Sequence, residues 1–170
     1  MFNNSGVKNG IYLGIASIIF SHVCYMIKPK MMLNGVAFFS YLITIYFMYR
    51  SAAEERKMNE GLLSFGEALK VTFITYIIGG LLGSIYLYLM FNFIDPSLHE
   101  VLKEVSYDNV EMIANLSGTE DQLDLMHDQI ESQDLQMSFS MVFLNYLVSL
   151  ILPGFIFALI IAAITKKVNN

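Results

Sequence analysis

The chain has 170 residues, 55% hydrophobic and only 15% charged, with a mean hydropathy of +0.54; soluble domains carry about 25% charged residues, so this is a membrane composition in a chain of single-domain length. The formal net charge of −5 conceals a division, because residues 95–137 hold eleven of the fifteen acids and one base, Lys103, while the rest of the chain is basic. The bases are scattered at segment ends rather than gathered into a patch, which argues against nucleic acid as a partner, and the single cysteine, Cys24, excludes an intrachain disulfide and a cysteine-based metal site.

Four apolar runs organise the chain, at about 10–27, 31–49, 70–94 and 138–165. Each has eighteen or more residues, enough at 1.5 Å per residue to cross a hydrocarbon core of about 30 Å. The first ends in "KPK" without a small-x-small cleavage pattern, so it is expected to be a retained span and not a signal peptide. "KPKM" leaves only a tight turn before the second run, predicting an antiparallel hairpin. His22, near the outer end of the first run, is the one ionisable side chain inside a span and hence a functional candidate. Its imidazole is expected to reach water or Tyr25. Asn34, Asn92 and Asn145 are the other polar groups in the runs, and Asn92 is carried as a candidate with His22.

Small residues indicate how the runs meet. Gly10, Gly14, Ser17 and Ser21 share a helix face in the first, Thr72, Thr75, Gly79 and Gly83 in the third, and Gly154, Ala158 and Ala162 in the fourth. Such faces allow close backbone approach; bundle packing accounts for them more simply than a pore or substrate groove. "GLLSFGEALKV" opens the third run. Ser64 and Glu67 form an S-x-x-E capping box there, with Lys70 one turn on, free to pair with Glu67 or to snorkel. A gate or proton relay built on Glu67 and Lys70 is the functional alternative, although the cap explains the spacing. The last two runs exceed the length required, so they tilt or project, and Pro153-Gly154 is expected to bend the fourth.

Between the third and fourth runs lies "FNFIDPSLHE". Either Asp95 caps a helix with Pro96 at its first position, or Ser97 caps it with Glu100 completing S-x-x-E. Both schemes make Asp95 punctuation; the alternative makes its charge functional. Apolar residues at helical spacing then predict two amphipathic helices separated by "SGT", the second opening on a Thr119–Gln122 box. Together they form an acidic helical hairpin over 95–137, whose second helix either stops or runs unbroken into the fourth span. Asp124, His127, Asp128 and Glu131 share one face of that second helix and could offer ligands to a divalent cation. A solvated acidic face explains them equally, since a single helix rarely completes a coordination sphere. The acidity also suits a cationic partner or repels anionic lipid. "NLS" at Asn115 is a glycosylation acceptor only in a eukaryotic lumen.

Lys8, Arg50, Arg56, Lys57, Lys70, Lys166 and Lys167 fall on one side of the predicted membrane and Lys28, Lys30 and Lys103 on the other. That bias places both termini in the cytoplasm and 95–137 outside. H-E-x-x-H, P-loop and G-x-G-x-x-G patterns are missing, and "GGLLG" at 79–83 lacks the strand that a phosphate loop needs. "LSFGEALKVTF" together with "YLMFNFIDPSL", at opposite ends of one span, resembles the paired signatures of a bacterial membrane-protein family known as domain of unknown function 4199. The resemblance covers nearly the whole chain. It implies a multi-pass inner-membrane protein of four spans with a polar segment between the third and fourth, and it brings no activity, cofactor or catalytic residue with it.

The expectation is therefore an all-α, integral membrane four-helix bundle with an extramembrane acidic helical hairpin between spans 3 and 4, in the inner (plasma) membrane. No enzyme activity, cofactor or metal is expected. Its surroundings are the lipid bilayer and either a membrane-protein partner or further copies of itself. A scaffold or accessory subunit binding another envelope protein is the favoured role, a small homo-oligomeric transporter or channel the alternative, and a lipid-acting enzyme third.

Overall fold

The computed structural model describes residues 4–34, 37–118, 123–132 and 137–168. Among them the chain forms helices joined by short turns, with one isolated backbone bridge in which Leu63 N donates to Lys167 O at 2.8 Å and Lys167 N to Leu63 O at 2.7 Å. The helices are α1 (Ser5–Ile27), α2 (Pro29–Asn34), α3 (Ala37–Met58), α4 (Phe65–Leu89), α5 (Leu98–Ser117), α6 (Leu123–Ser132), α7 (Phe139–Ser149) and α8 (Phe155–Thr165). A π turn, Met90–Ile94, extends α4, and another, Leu150–Gly154, joins α7 to α8.

Local chemistry sets these boundaries. Asn4 caps α1 by accepting from Gly6 N at 2.9 Å and Val7 N at 3.3 Å. Lys28, preceding Pro29, is driven to extended backbone (φ −162°, ψ 121°) and ends the helix. Pro29 then starts α2 at the position where a proline costs no hydrogen bond. The expected four-residue turn is thus replaced by a short helix. Beyond α3, Glu60 (φ 55°) and Gly61 (φ 88°) turn the chain in left-handed conformation. At 150–154 Pro153 has no N–H to give, and Phe155 N reaches back five residues to Leu150 O, so the predicted bend is a π turn.

Among the described residues, three helical segments are long and apolar enough to cross a bilayer: Ser5–Ile27, Phe65–Ile94 and Phe139–Thr165. The described parts of the second predicted run, 31–34 and 37–49, are helical, and α3 continues beyond it through Arg50, Glu54, Glu55, Arg56 and Lys57. The helix of the third run starts earlier than expected, at Phe65. Met137 and Ser138 are non-helical, and Ser138 Oγ caps α7 by accepting from Met141 N at 3.3 Å. The second outer helix therefore does not run unbroken into the final span. The Thr119–Gln122 box and the side chain of Asn34 lie outside the described residues.

The tightest contact joins α1 to α4. A Cβ on Gly10 would stand 2.8 Å from Ile78 Cβ, on Gly14 2.5 Å from Leu82 Cδ1, and on Gly79 2.5 Å from Leu13 Cδ2. Gly6 extends this face by one turn, where Thr75 Oγ1 donates to Gly6 O at 3.2 Å across the helices. α3 and α8 pack against the other sides of α4, with Met48, Tyr76, Ala158 and Ile161 in one buried cluster and Ala52, Leu63, Ala68, Val71 and Ala162 in the next. Gly154 receives the Tyr76 ring, where a Cβ would lie 2.5 Å from Cε1. A third cluster of Cys24, Met32, Met90, Phe91 and Leu98 seats α5 on the ends of α1, α2 and α4. Outward faces of α1, α4, α7 and α8 remain strongly apolar, including Ile19, Ile85, Leu144, Ile151 and Ile164, a coat suited to hydrocarbon and not to water.

Gly14→Val should destabilise the fold by about 1–3 kcal/mol through overpacking. Gly83→Ala, whose new methyl meets nothing within 4 Å, should instead be neutral or stabilising by up to about 1 kcal/mol. Circular-dichroism melts of the detergent-solubilised protein distinguish a packing glycine from a permissive one.

Candidate functional site

Polar side chains gather at the two ends of the long helices. At the basic end, Glu54 of α3 accepts from Asn9 Nδ2 at 2.9 Å, Lys8 Nζ at 3.2 Å and Arg50 Nε at 3.1 Å. Asn9 is fully buried, and its Nδ2 also donates to Ser5 O at 2.9 Å. Ser5 Oγ donates to Glu55, and Arg50 lies over the Tyr12 ring at 5.7 Å. Burial pushes the Glu54 carboxyl up, but the donors from Asn9, Lys8 and Arg50 outweigh it and leave the group below its ordinary value. This cluster clamps α1 to α3. Sequence reasoning missed it, because Asn9 and Glu54 are forty-five residues apart and neither belongs to a motif.

Glu67 and Lys70 lie on the neighbouring turn. The predicted capping box is present: Ser64 N and Oγ donate to Glu67 Oε2 at 2.9 and 2.7 Å, and Ser64 Oγ accepts from Glu67 N at 3.3 Å. Glu67 is thereby turned towards Ser64, and among the described residues no ion pair joins it to Lys70.

At the acidic end, Asp95 gathers three donors. Ser97 N and Oγ reach Oδ1 at 3.1 and 2.6 Å, and Tyr25 OH reaches Oδ2 at 2.9 Å. Neither capping scheme is formed complete: α5 begins at Leu98 with Ser97 at the N-cap position, and Asp95 accepts from Ser97 in the turn that precedes the helix. Ser97 donates its hydroxyl to Asp95 and makes no cap bond of its own. The Ser97 hydroxyl foremost, then Tyr25, holds the Asp95 carboxyl below its ordinary value. The aspartate is more than punctuation, since it also ties the end of α1 to the start of α5. His22 faces Tyr86, with Nδ1 3.0 Å from its hydroxyl, and Tyr25 is a ring neighbour at 5.8 Å. Asn92 Nδ2 donates to Tyr88 O at 3.0 Å and to Met137 O at 2.9 Å, joining the π turn to the approach to α7. His99, which the sequence did not single out, accepts from Met137 N at Nε2 (3.2 Å), leaving Nδ1–H to donate to Pro96 O at 2.9 Å. Lys30 bridges α2 to α5 through Asp108 at 2.5 Å and Glu104 at 3.0 Å, and these partners, Asp108 first, raise its ammonium above the ordinary lysine value.

The acidic face of α6 is spread out. His127 packs edge-on against Tyr107 of α5 at 5.0 Å, with Nε2 3.9 Å from Glu111, while Glu131 accepts from Tyr107 OH at 3.4 Å. Asp124 and Asp128 join neither contact. Among the described residues, no three His, Cys, Asp or Glu side chains come together in a way that could hold a metal ion.

A family model described as "Protein of unknown function (DUF4199)" matches residues 8–167. No curated protein and no solved structure matches the chain.

Asp95→Ala should lower stability by about 1 kcal/mol through loss of the Ser97 and Tyr25 hydrogen bonds, and Tyr25→Phe should add nothing to it in a double variant. Asp95→Asn should fall between wild type and Asp95→Ala, because one amide oxygen can keep the Ser97 contacts while Tyr25 loses its carboxylate. Melting temperatures of the four proteins test the coupling. Glu54 has a lowered folded-state pKa, so its contribution is complete above the ordinary carboxylate range and lost as pH falls through the lowered value. Stability measured from neutral to acid pH should therefore decline, and Glu54→Gln should flatten part of that decline while starting from a lower plateau.

Proposed function

Because the chain belongs to the DUF4199 family of proteins of unknown function, its role must come from its own surfaces, and we propose a non-enzymatic membrane scaffold or accessory subunit that binds another envelope protein. In this reading α1, α3, α4 and the α7–α8 pair make a four-span bundle in the inner membrane, with both termini cytoplasmic. α3 qualifies by position, since it packs along α1, α4 and α8. Its 22 residues measure about 33 Å, and its polar end can snorkel at the cytoplasmic face. The bias of lysine and arginine towards that end supports the orientation. α5 and α6 then stand outside as an antiparallel acidic pair, since Tyr107 and Glu111 near the middle of α5 face Glu131 and His127 in that order on α6.

The observation that carries the proposal is the far tip of this pair. Leu116 is 82% exposed and Leu125 64%, with Met112 and Ile113 beside them also exposed. Apolar side chains held in water at the end of an acidic stalk suit a partner with an apolar patch rimmed by basic residues. Glu54, Asp95, Lys30 and Asn92 are engaged in holding helices together, which favours a static component over a transporter.

Photocrosslinking residues placed at Leu116 and Leu125 in cells should trap one polypeptide of constant mass. Leu116→Asp should abolish the adduct while leaving the protein in the membrane. Adducts only between copies of this chain, or solute flux through proteoliposomes containing this protein alone, would replace the accessory role with the homo-oligomeric transporter.

A further inference from the structure

At the basic end, α1, α3 and α4 border a cavity of about 220 Å³ lined by Asn4, Glu55, Glu67, Lys70, Val71 and Ile74. Its lining carries two carboxylates, one ammonium and two apolar side chains. Glu67 and Lys70 are three residues apart on one helix, a spacing at which opposite charges ordinarily pair, yet the capping box holds Glu67 on Ser64 through Oε2. Glu55 is likewise engaged through Oε2, by Ser5 Oγ. Among the described residues, no donor reaches Oε1 of either glutamate and no carboxylate reaches Lys70 Nζ. Three charged side chains thus border one cavity without neutralising each other.

A simple anion would be drawn to Lys70 and repelled by both glutamates; a simple cation would meet the reverse. A molecule carrying both charges finds a counterpart for each. We propose that this cavity binds a zwitterionic headgroup composed of a phosphate and a primary ammonium, that of a phosphatidylethanolamine-type lipid. Lys70 takes the phosphate, while Glu55 and Glu67 take the ammonium through their open oxygens. The volume is that of roughly seven water-sized groups at about 30 Å³ each, the scale of a headgroup and not of a whole lipid. The helix that carries the site also favours a lipid source. Its 30 residues from Phe65 to Ile94 measure about 45 Å against a hydrocarbon core of about 30 Å. Its first turns can therefore stand among the headgroups while Val71 and Ile74 lead down towards the acyl chains.

The site lies at the opposite end of the molecule from the α5–α6 tip, and its test is independent of the accessory role. Native mass spectrometry of the full chain in detergent, titrated with short-chain phosphatidylethanolamine, phosphatidylcholine and phosphatidylglycerol, reads the preference directly. The ethanolamine lipid should bind at least about tenfold more tightly than either of the others. Phosphatidylcholine has no N–H for the glutamates, and phosphatidylglycerol has no cation. Lys70→Gln and Glu55→Gln should each bring the three lipids towards parity. The readout is preference among lipids and not total binding, so loss of fold, monitored by circular dichroism, cannot imitate the result. Equal binding of all three by the wild type, or a preference that survives both variants, overturns the site. Soluble phosphoethanolamine binding as tightly as the lipid overturns the lipid source.

Discussion

Everything else in this molecule depends on how closely α1 approaches α4. Within a bilayer, hydrocarbon surrounds a leucine as comfortably as another leucine does, so helices are held by packing and by the few hydrogen bonds that cross between them. Gly6, Gly10 and Gly14 on α1 and Gly79 on α4 remove the side chains that would keep the two backbones apart, and Thr75 uses the resulting proximity to donate to Gly6 O. This contact also sets register. With it in place, Ser5 and Asn9 arrive opposite Glu55 and Glu54 at one end, and His22 and Tyr25 arrive at Tyr86 and Asp95 at the other. A slide of one residue along the glycine face would break all four pairings together.

The two ends solve different problems. At the basic end Glu54 collects Lys8, Asn9 and Arg50, so a partly buried carboxylate is balanced by two cations and an amide. Removing any one of these would leave charge or hydrogen-bonding capacity unmet where water is scarce. At the acidic end the bonds are more numerous and join more elements. Asp95 connects α1 to α5, Lys30 connects α2 to α5, and His99 and Asn92 secure the approach to α7. Beneath them Phe91 and Leu98 are fully buried together, each worth about 2 kcal/mol when withdrawn from water.

Local features were the legible ones. The Ser64–Glu67 box, the Pro153 bend and the small-residue faces at Gly10, Gly14 and Gly79 depend on residues within a few positions, so spacing alone revealed them. The Asp95 and Ser97 alternatives could not be separated in sequence because each satisfies a valid cap; Tyr25, seventy residues away, is what gives Asp95 the additional role. The turn before the second run was ambiguous for a similar reason: Pro29 reads equally well as the middle of a tight turn or the first residue of a helix, and the packing of Met32 beside Phe91 and Leu98 decides for the helix. The four acidic and histidine positions of α6 do share a face, but helical periodicity says nothing about what faces them. Tyr107 and Glu111 of α5 occupy that side, Tyr107 touching both His127 and Glu131 and Glu111 approaching His127.

The attachment of α5 bears on what an exposed tip can do. A stalk joined to a span by a single flexible connection would let its tip move independently of the membrane helices. Here the base of α5 is held by hydrogen bonds, ion pairs and buried apolar contact to α1, α2, the π turn after α4, and the residues leading into α7. Any load on Leu116 and Leu125 would be shared by several helices at once. Most polar groups at the helix ends are likewise directed between helices, as bracing, and meet a backbone carbonyl, a hydroxyl or a counter-ion, while Asn9 Oδ1 is buried without a partner among the described residues. Among the described residues, Lys70 and the Oε1 atoms of Glu55 and Glu67 also lack a partner, and they do so at the end of the bundle opposite α5 and α6. Among the described residues, the two ends thus differ in what their charges do: those at the acidic end hold α5 in place, while Lys70 and the two glutamates at the basic end leave charge that no described side chain neutralises.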